Sequence, residues 1–260
     1  MGTHAEDHPS DSSLEGRVAL VTGGGKRLGR TIALALGGEG ASVAVHYNAS
    51  ARGADAVCEL LTAGGGEAHP FQADLSDPGG LDDLVERVWG WGGGLDVLVN
   101  NASIFPSGRL AEIDFANLTS NMAVNAWAPL ALTRALWTRT VEAGGEASVV
   151  NLLDSRLAGG DPLHAAYFLS KVALSEITRM SAREFGPTLR VNGVAPGPIL
   201  APEGKDAAYL RQLRERLPLR RWGGPEQVAH AVVFLSAAAH VTGQTLFVDG
   251  GQHLQPHGPP

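Results

Sequence analysis

"VTGGGKRLGR" (residues 21–30) follows a Val-rich run at 17–23 and opens an Ala- and Leu-rich helical pattern at 27–39. How it is read decides the fold. Gly23, Gly25 and Gly29 permit a tight turn, close backbone approach to a phosphate, and close packing of helix on strand. A pyrophosphate would meet the helix N-terminus, where N–H groups and the helix dipole favour an anion. Glycine clusters also serve plain turns, so the order strand, turn, helix carries the reading: a nucleotide site.

Outward from this stretch, the same alternation runs the length of the chain. The runs at 17–23, 41–47, 67–74, 95–102, 147–153, 189–197 and 244–251 are short and continuous, as strands covered on both faces should be. Helical patterns at 27–39, 78–91, 117–143, 165–185 and 225–237 lie between them. This predicts an α/β fold, a Rossmann-type doubly wound parallel sheet of seven strands with helices on both faces. No linker divides the chain and no repeat is visible. Residues 15–254 are expected to form one domain, between a polar tail at 1–14 and a short tail at 255–260.

Composition excludes several function classes. With 260 residues, 44% hydrophobic and 18% charged, the chain can bury an ordinary globular core. A net charge of −7 without a basic stripe argues against nucleic acid. No stretch reaches the apolar length of a membrane helix. The start, "MGTHAEDHPSDSSLEG", lacks the pattern of a secretory signal, and Cys58, the single cysteine, suits a reducing compartment. The expectation is a cytoplasmic protein. His and acidic residues show no metal-ligand spacing, so no metal is expected.

Charge also bears on the nucleotide. An NAD site usually offers an acid about twenty residues past the glycine turn, at the end of the second strand. "HYNAS" (46–50) stands there without one, while Lys26 and Arg27 lie in the turn and Ser50 offers a hydroxyl. A 2′-phosphate would find cations and hydroxyls and no repulsion, which favours NADP(H).

In "NLLDSRLAGGDPLHAAYFLSK" (151–171), Lys171 lies four residues after Tyr167 and shares its helix face, a cation beside a proton donor. Asp154 stands thirteen residues ahead of Tyr167. In the plain reading it caps the loop 155–162 while Ser155 supplies a hydroxyl. In the chemical reading its carboxyl pairs with a substrate and works with Tyr167. Lys171 is expected to hold down the tyrosine pKa by its charge. His164 is expected at the surface, and Arg156 and Asp161 have no expected role beyond the entrance.

Together with "NNAS" (100–103), Asn125 within "VNAWAP" and "PGPI" (196–199), these motifs resemble the short-chain dehydrogenase/reductase family over residues 15–251. The resemblance implies a nicotinamide cofactor, Tyr167 as proton donor, Lys171 on the ribose, and Asn125 completing a proton relay through water. It puts Asp74 and Leu75 beside the adenine, Asn101, Ala102 and Ser103 along the cofactor path, and Val194, Pro196, Gly197 and Ile199 near the nicotinamide. Leu28, Tyr47 and Asn48 complete the implied cofactor site. A substrate lid at about 198–224 and a homotetramer built on helices 117–143 and 165–185 are implied as well.

Most members carry serine at the position of Asp154, whereas the pteridine reductases and dihydromonapterin reductases carry aspartate. "KRLGR" (26–30), "HYNAS" and "NNASIF" (100–105) are similar to that subgroup. There Phe105 falls where an aromatic ring stacks on the pterin, and Arg27 and Ser50 match contacts to the NADPH phosphate and the pterin. Ala49 replaces a basic residue that many members carry.

The expected function is NADPH-dependent reduction of a pterin of the dihydrobiopterin, dihydromonapterin or dihydrofolate type. Such a substrate takes hydride on a ring C=N carbon and a proton on the adjacent nitrogen. Phe105 would clamp the flat ring, and Tyr167 with Asp154 would supply the proton in its plane. Two other readings stay open. A carbonyl or 3-oxoacyl reductase of the same family is one, with Asp154 and Phe105 against it. A non-catalytic NADP-binding sensor is the other, and it would not need Asn125, Tyr167 and Lys171 together.

Overall fold

The computed structural model describes residues 14–200, 214–215 and 217–255. The strands are β1 (Val18–Val21), β2 (Ser42–Tyr47), β3 (Ala68–Gln72), β4 (Val97–Asn100), β5 (Ala147–Leu152), β6 (Leu189–Pro196) and β7 (Thr245–Val248). All pair in parallel, in the order β3-β2-β1-β4-β5-β6-β7. The helices are α1 (Arg27–Gly38), α2 (Ala51–Ala63), α3 (Leu81–Gly92), α4 (Phe115–Met122), α5 (Ala128–Ala143), α6 (Ala165–Glu184) and α7 (Pro225–Ala237). The doubly wound seven-stranded sheet expected from the alternation is what the chain builds.

Strand residues alternate between two cores because successive side chains point to opposite faces. Ala19 and Val21 of β1 pack with Ile32, Leu36, Val57 and Val232 of α1, α2 and α7. Val18 and Leu20 pack with Leu84, Val88, Leu132 and Leu136 of α3 and α5. Both faces being covered, β1, β4 and β5 are buried at every position, which is why their sequences read as unbroken apolar runs. The winding reverses at β1, which pairs with β2 on one side and β4 on the other. A crevice opens there, beyond the C-terminal strand ends, the place where such sheets bind ligands.

Some boundaries differ from expectation. The expected helix 117–143 starts earlier, where Asp114 accepts the Asn117 N–H at 2.7 Å, and a π turn at Ala123–Trp127 divides it. Residues 78–91 split into a 3-10 turn, Pro78–Gly80, and α3. Leu14, assigned to the N-terminal tail, is 2% exposed, and its N–H donates to the Glu39 carbonyl at 3.0 Å. The rest of that tail, the C-terminal tail and most of the expected lid at 198–224 lie outside the described residues. Among the described residues no helix is long and apolar enough to cross a membrane.

Candidate active site

Gly23 follows β1 at φ +64°, a left-handed conformation that glycine adopts without strain. A Cβ on Gly29 would stand 2.2 Å from the Gly23 carbonyl oxygen, so only glycine lets α1 seat this close to the turn. Gly25 and Gly53 meet backbone to backbone: a Cβ on the first would lie 2.8 Å from the Ala54 nitrogen, and one on the second 2.7 Å from the Gly25 oxygen. No side chain caps the start of α1, and a bare helix start of this kind suits an anion.

A cavity of about 620 Å³ opens over this turn. Around it the structure brings together Gly23, Gly25, Lys26, Arg27, Leu28, Gly29, Tyr47, Asn48, Ser50, Asp74, Leu75, Asn101, Ala102 and Ser103, all named from the sequence. Ser50 stands at the N-cap of α2 without spending its hydroxyl on the cap. Asn101 and Ala102 are fixed by Thr22, whose hydroxyl accepts their N–H groups at 2.9 and 3.0 Å. Pro196, Gly197, Ile199 and Lys171, expected along the cofactor, do not line the cavity. Gly197 is there for packing, since a Cβ would meet the Asp249 Cα at 2.6 Å. Val194 is fully buried in the core.

His46 lines the cavity and was not anticipated. Its Nδ1 accepts the Gly23 N–H at 3.0 Å and its Nε2 meets the Ala73 carbonyl at 3.1 Å. A carbonyl only accepts, so the ring is neutral with its proton on Nε2. Burial drives its pKa down to about 4, in line with that state. The ring ties the glycine turn to the end of β3. Nothing in "HYNAS" announces this, because the partners are backbone groups distant in sequence.

The second half of the site lies where β5 ends and α6 begins. Tyr167, buried on α6, donates its hydroxyl to Asp154 Oδ2 at 2.8 Å. Asp154 is also the N-cap of the 3-10 turn Ser155–Ala158, as the plain reading has it, while it engages Tyr167. Ser155 does not offer a hydroxyl to the site: its Oγ donates to Gln252 Oε1 at 2.9 Å.

Arg156 and Asp161, left without a role by the sequence, form the hub. Arg156 donates its backbone N–H (2.8 Å) and Nε (3.1 Å) to Asp154 Oδ1 and its Nη2 (3.0 Å) to Oδ2. Its Nη1 donates to Asp161 Oδ2. His164, expected at the surface, donates Nδ1–H to the same oxygen at 2.9 Å and stacks on Phe105, ring centroids 3.9 Å apart. Phe105 is 41% exposed and meets the Tyr167 ring edge-on at 4.5 Å.

The electrostatics overturn one expectation. Burial, and then the Asp154 charge, hold the Tyr167 phenol well above its usual pKa, while Arg156 opposes them. The expected lowering by Lys171 does not decide the direction. The Lys171 ammonium is buried, donates to the Leu152 carbonyl at 2.7 Å, and is itself lowered to about 8 by burial. The phenol therefore rests protonated at neutral pH, as a donor must.

Asn125 sits in the π turn, where the Ala128 N–H reaches back five residues to the Ala123 carbonyl. Its carboxamide is engaged on both sides. Oδ1 accepts the Ile104 N–H (2.9 Å) and the Ser103 hydroxyl (3.1 Å), and Nδ2 donates to the Ile104 carbonyl and Ser170 Oγ, each at 3.0 Å. It thus clamps the segment that carries Phe105. Ser103 and Ile104 line the cavity, so the two halves meet there.

Residues 25–253 match the family model described as enoyl-(acyl carrier protein) reductase. An uncharacterised oxidoreductase of Mycobacterium tuberculosis is 38% identical over 246 residues, covering 92% of both chains. A 3-oxoacyl-[acyl-carrier-protein] reductase of Synechocystis is 32% identical, covering 92% of this chain and 98% of that one. Among solved structures, FolM alternative dihydrofolate reductase 1 of Brucella canis, complexed with NADP, superposes with a TM-score of 0.90 at 32% identity. The match covers 96% of this chain and 98% of that one.

Proposed function

The chain belongs to the short-chain dehydrogenase/reductase family, and within it we propose an NADPH-dependent reductase of pterins of the dihydrobiopterin, dihydromonapterin or dihydrofolate type. The carrying observation is the Asp154 carboxylate on the Tyr167 hydroxyl, with the neighbouring serine turned away to Gln252. An oxygen that gains alkoxide charge is repelled by a carboxylate; ring N–H and amino groups are attracted to one. The likeness to a dihydrofolate reductase solved with NADP supports both substrate class and cofactor.

The residues present suit that cofactor. The turn at Gly23, Gly25 and Gly29 closes this tightly because a Cβ at any of them would strike neighbouring protein atoms, and a helix start of this kind suits a pyrophosphate. Lys26 and Arg27 are exposed at its rim beside Asn48 and Ser50, and no acid stands at the end of β2 to repel a 2′-phosphate. Bound there, the dinucleotide would supply the hydride. Tyr167 keeps its proton until the substrate nitrogen takes it. Asp154 orients that hydroxyl, and its negative charge favours a ring N–H or amino group beside it. Phe105, next to the cavity-lining Ile104 and stacked on His164, would supply the aromatic ring beside the substrate, and Lys171 adds a buried positive charge beneath the tyrosine.

The relatives named 3-oxoacyl reductases keep a second reading alive, in which ketones are the substrates. NADPH oxidation by the pure protein with dihydrobiopterin, dihydromonapterin, dihydrofolate and a ketone panel separates the two. Pterin turnover at least tenfold above that of every ketone is expected; the reverse order rejects the proposal. We further propose a homotetramer, supported by the exposed Phe115, Trp127, Leu169 and Met180 on and between α4, α5 and α6. A monomer in sedimentation at micromolar concentration would refute it.

A further inference from the structure

Four hydrogen bonds converge on the two oxygens of Asp154, and three come from Arg156. A carboxylic acid would have to surrender one of those acceptor positions to its own proton, so this arrangement suits the carboxylate. The guanidinium is in turn pinned by Asp161, which is buried, accepts the Leu163 N–H at 3.0 Å, and holds His164. A planar fork can serve two carboxylates at once; a lysine ammonium cannot do so with the same geometry.

Resting on the reading of Tyr167 as proton donor, we propose that Arg156 is a positioning residue, a clamp that holds Asp154 as a fixed acceptor and leaves proton donation to the phenol alone. Asp161 and His164 serve the clamp from behind. The charge on Arg156 has a second use. Its Cζ lies 5.9 Å from the Tyr167 ring centroid and Lys171 Nζ lies 5.8 Å from it. When the Tyr167 O–H bond breaks and its proton passes to the substrate nitrogen, the phenolate left behind faces two cations. The Asp154 carboxylate repels that charge, but it is itself paired with Arg156, so the cations already in place offset the charge created.

The test compares Arg156→Met and Arg156→Lys with the parent in four measurements. Thermal midpoint and NADPH affinity report on fold and cofactor site, and kcat and KM report on turnover. The fourth uses no substrate: the proton NMR line of the Tyr167 hydroxyl, identified by its loss in Tyr167→Phe. In Arg156→Met we expect NADPH affinity within about twofold, a little-changed midpoint, a displaced or vanished hydroxyl line and, with displacement of a catalytic group on this scale, kcat lower by about 100-fold. Arg156→Lys should recover about tenfold of that loss and part of the line. An unchanged hydroxyl line, or a kcat equal to the parent's, overturns the proposal. So does a loss of activity matched by collapse of midpoint and NADPH affinity in both variants. Should the parent reduce no pterin, the substrate assignment fails, while the hydroxyl line still decides for or against the clamp.

Discussion

The two halves of this site are made from different materials. The cavity over the glycine turn is bounded by glycines, small polar side chains and one neutral histidine, with Lys26, Arg27 and Asp74 as its charged groups. The cluster at the end of β5 packs two carboxylates, a guanidinium, an imidazole, a phenol and an ammonium between Asp154 and Lys171. On the proposed reading the first half would hold the cofactor largely by shape and backbone dipoles, a solution that any chain with the same turn can share. The second would supply the charges that select a substrate. Variants of a charged cluster should therefore act on turnover, and variants of the turn on binding and stability.

The sharpest way to break this division is Tyr167→Phe, which removes the donor and little volume. Turnover should fall by about three to four powers of ten, and NADPH binding followed by fluorescence should hold. A comparable loss of affinity would merge the two halves into one.

Asp154→Asn comes next. It keeps the shape but removes the charge, and pterin reduction should drop by about two to three powers of ten, within the range of general acid–base effects. Asp154→Ser should lose pterin activity and gain weak activity on small ketones. Parental rates with Asp154→Asn would make the residue a mere cap of the 3-10 turn.

On the other side of the comparison, His46 should reveal itself through stability. Its folded pKa is lowered from 6.5 to about 4, so between these values the unfolded chain binds the proton and the folded one does not. Stability is full above about 6.5 and declines as pH falls toward 4, by about 3 kcal/mol across the window. His46→Asn can still accept the Gly23 N–H but cannot titrate. Its deficit against the parent should shrink by about that amount in denaturant unfolding over the same pH range. A constant deficit would show that the imidazole is not what acid attacks.

The smallest effect concerns cofactor choice. Arg27→Ala should weaken NADPH by about tenfold, or ~1.4 kcal/mol, and NADH by much less. Equal losses would mean that Arg27 does not read the 2′-phosphate.

Much of this was legible in the chain beforehand. Apolar runs reveal strands buried on both faces, and the glycine spacing marks the turn because close backbone approach excludes every other residue. Tyr167 and Lys171 were readable because a helix turns fixed spacing into a shared face. The rest depended on where backbone groups end up. Neither the carbonyl of Ala73 that orients His46 nor the carbonyl of Leu152 that engages Lys171 has a side-chain signature. Arg156 and Asp161 stand five apart in an irregular loop, where no periodicity predicts that they touch. The rise in the Tyr167 pKa was missed for a related reason. Proximity to Lys171 could be read from spacing, but burial, the larger influence, could not.

The contact of Gly25 with Gly53 and Ala54 joins the phosphate turn to the start of α2, beside Ser50 and Asn48. Two walls in backbone contact cannot breathe independently, so little conformational freedom is left for a ligand to quench when it spans them. The entropy of ordering those walls is lost during folding, before any ligand arrives, and affinity benefits accordingly. An alanine at either glycine would pry the walls apart. Even where the fold survived, the chain would have to reorder the cleft at each binding event, and that would show calorimetrically as a more unfavourable binding entropy.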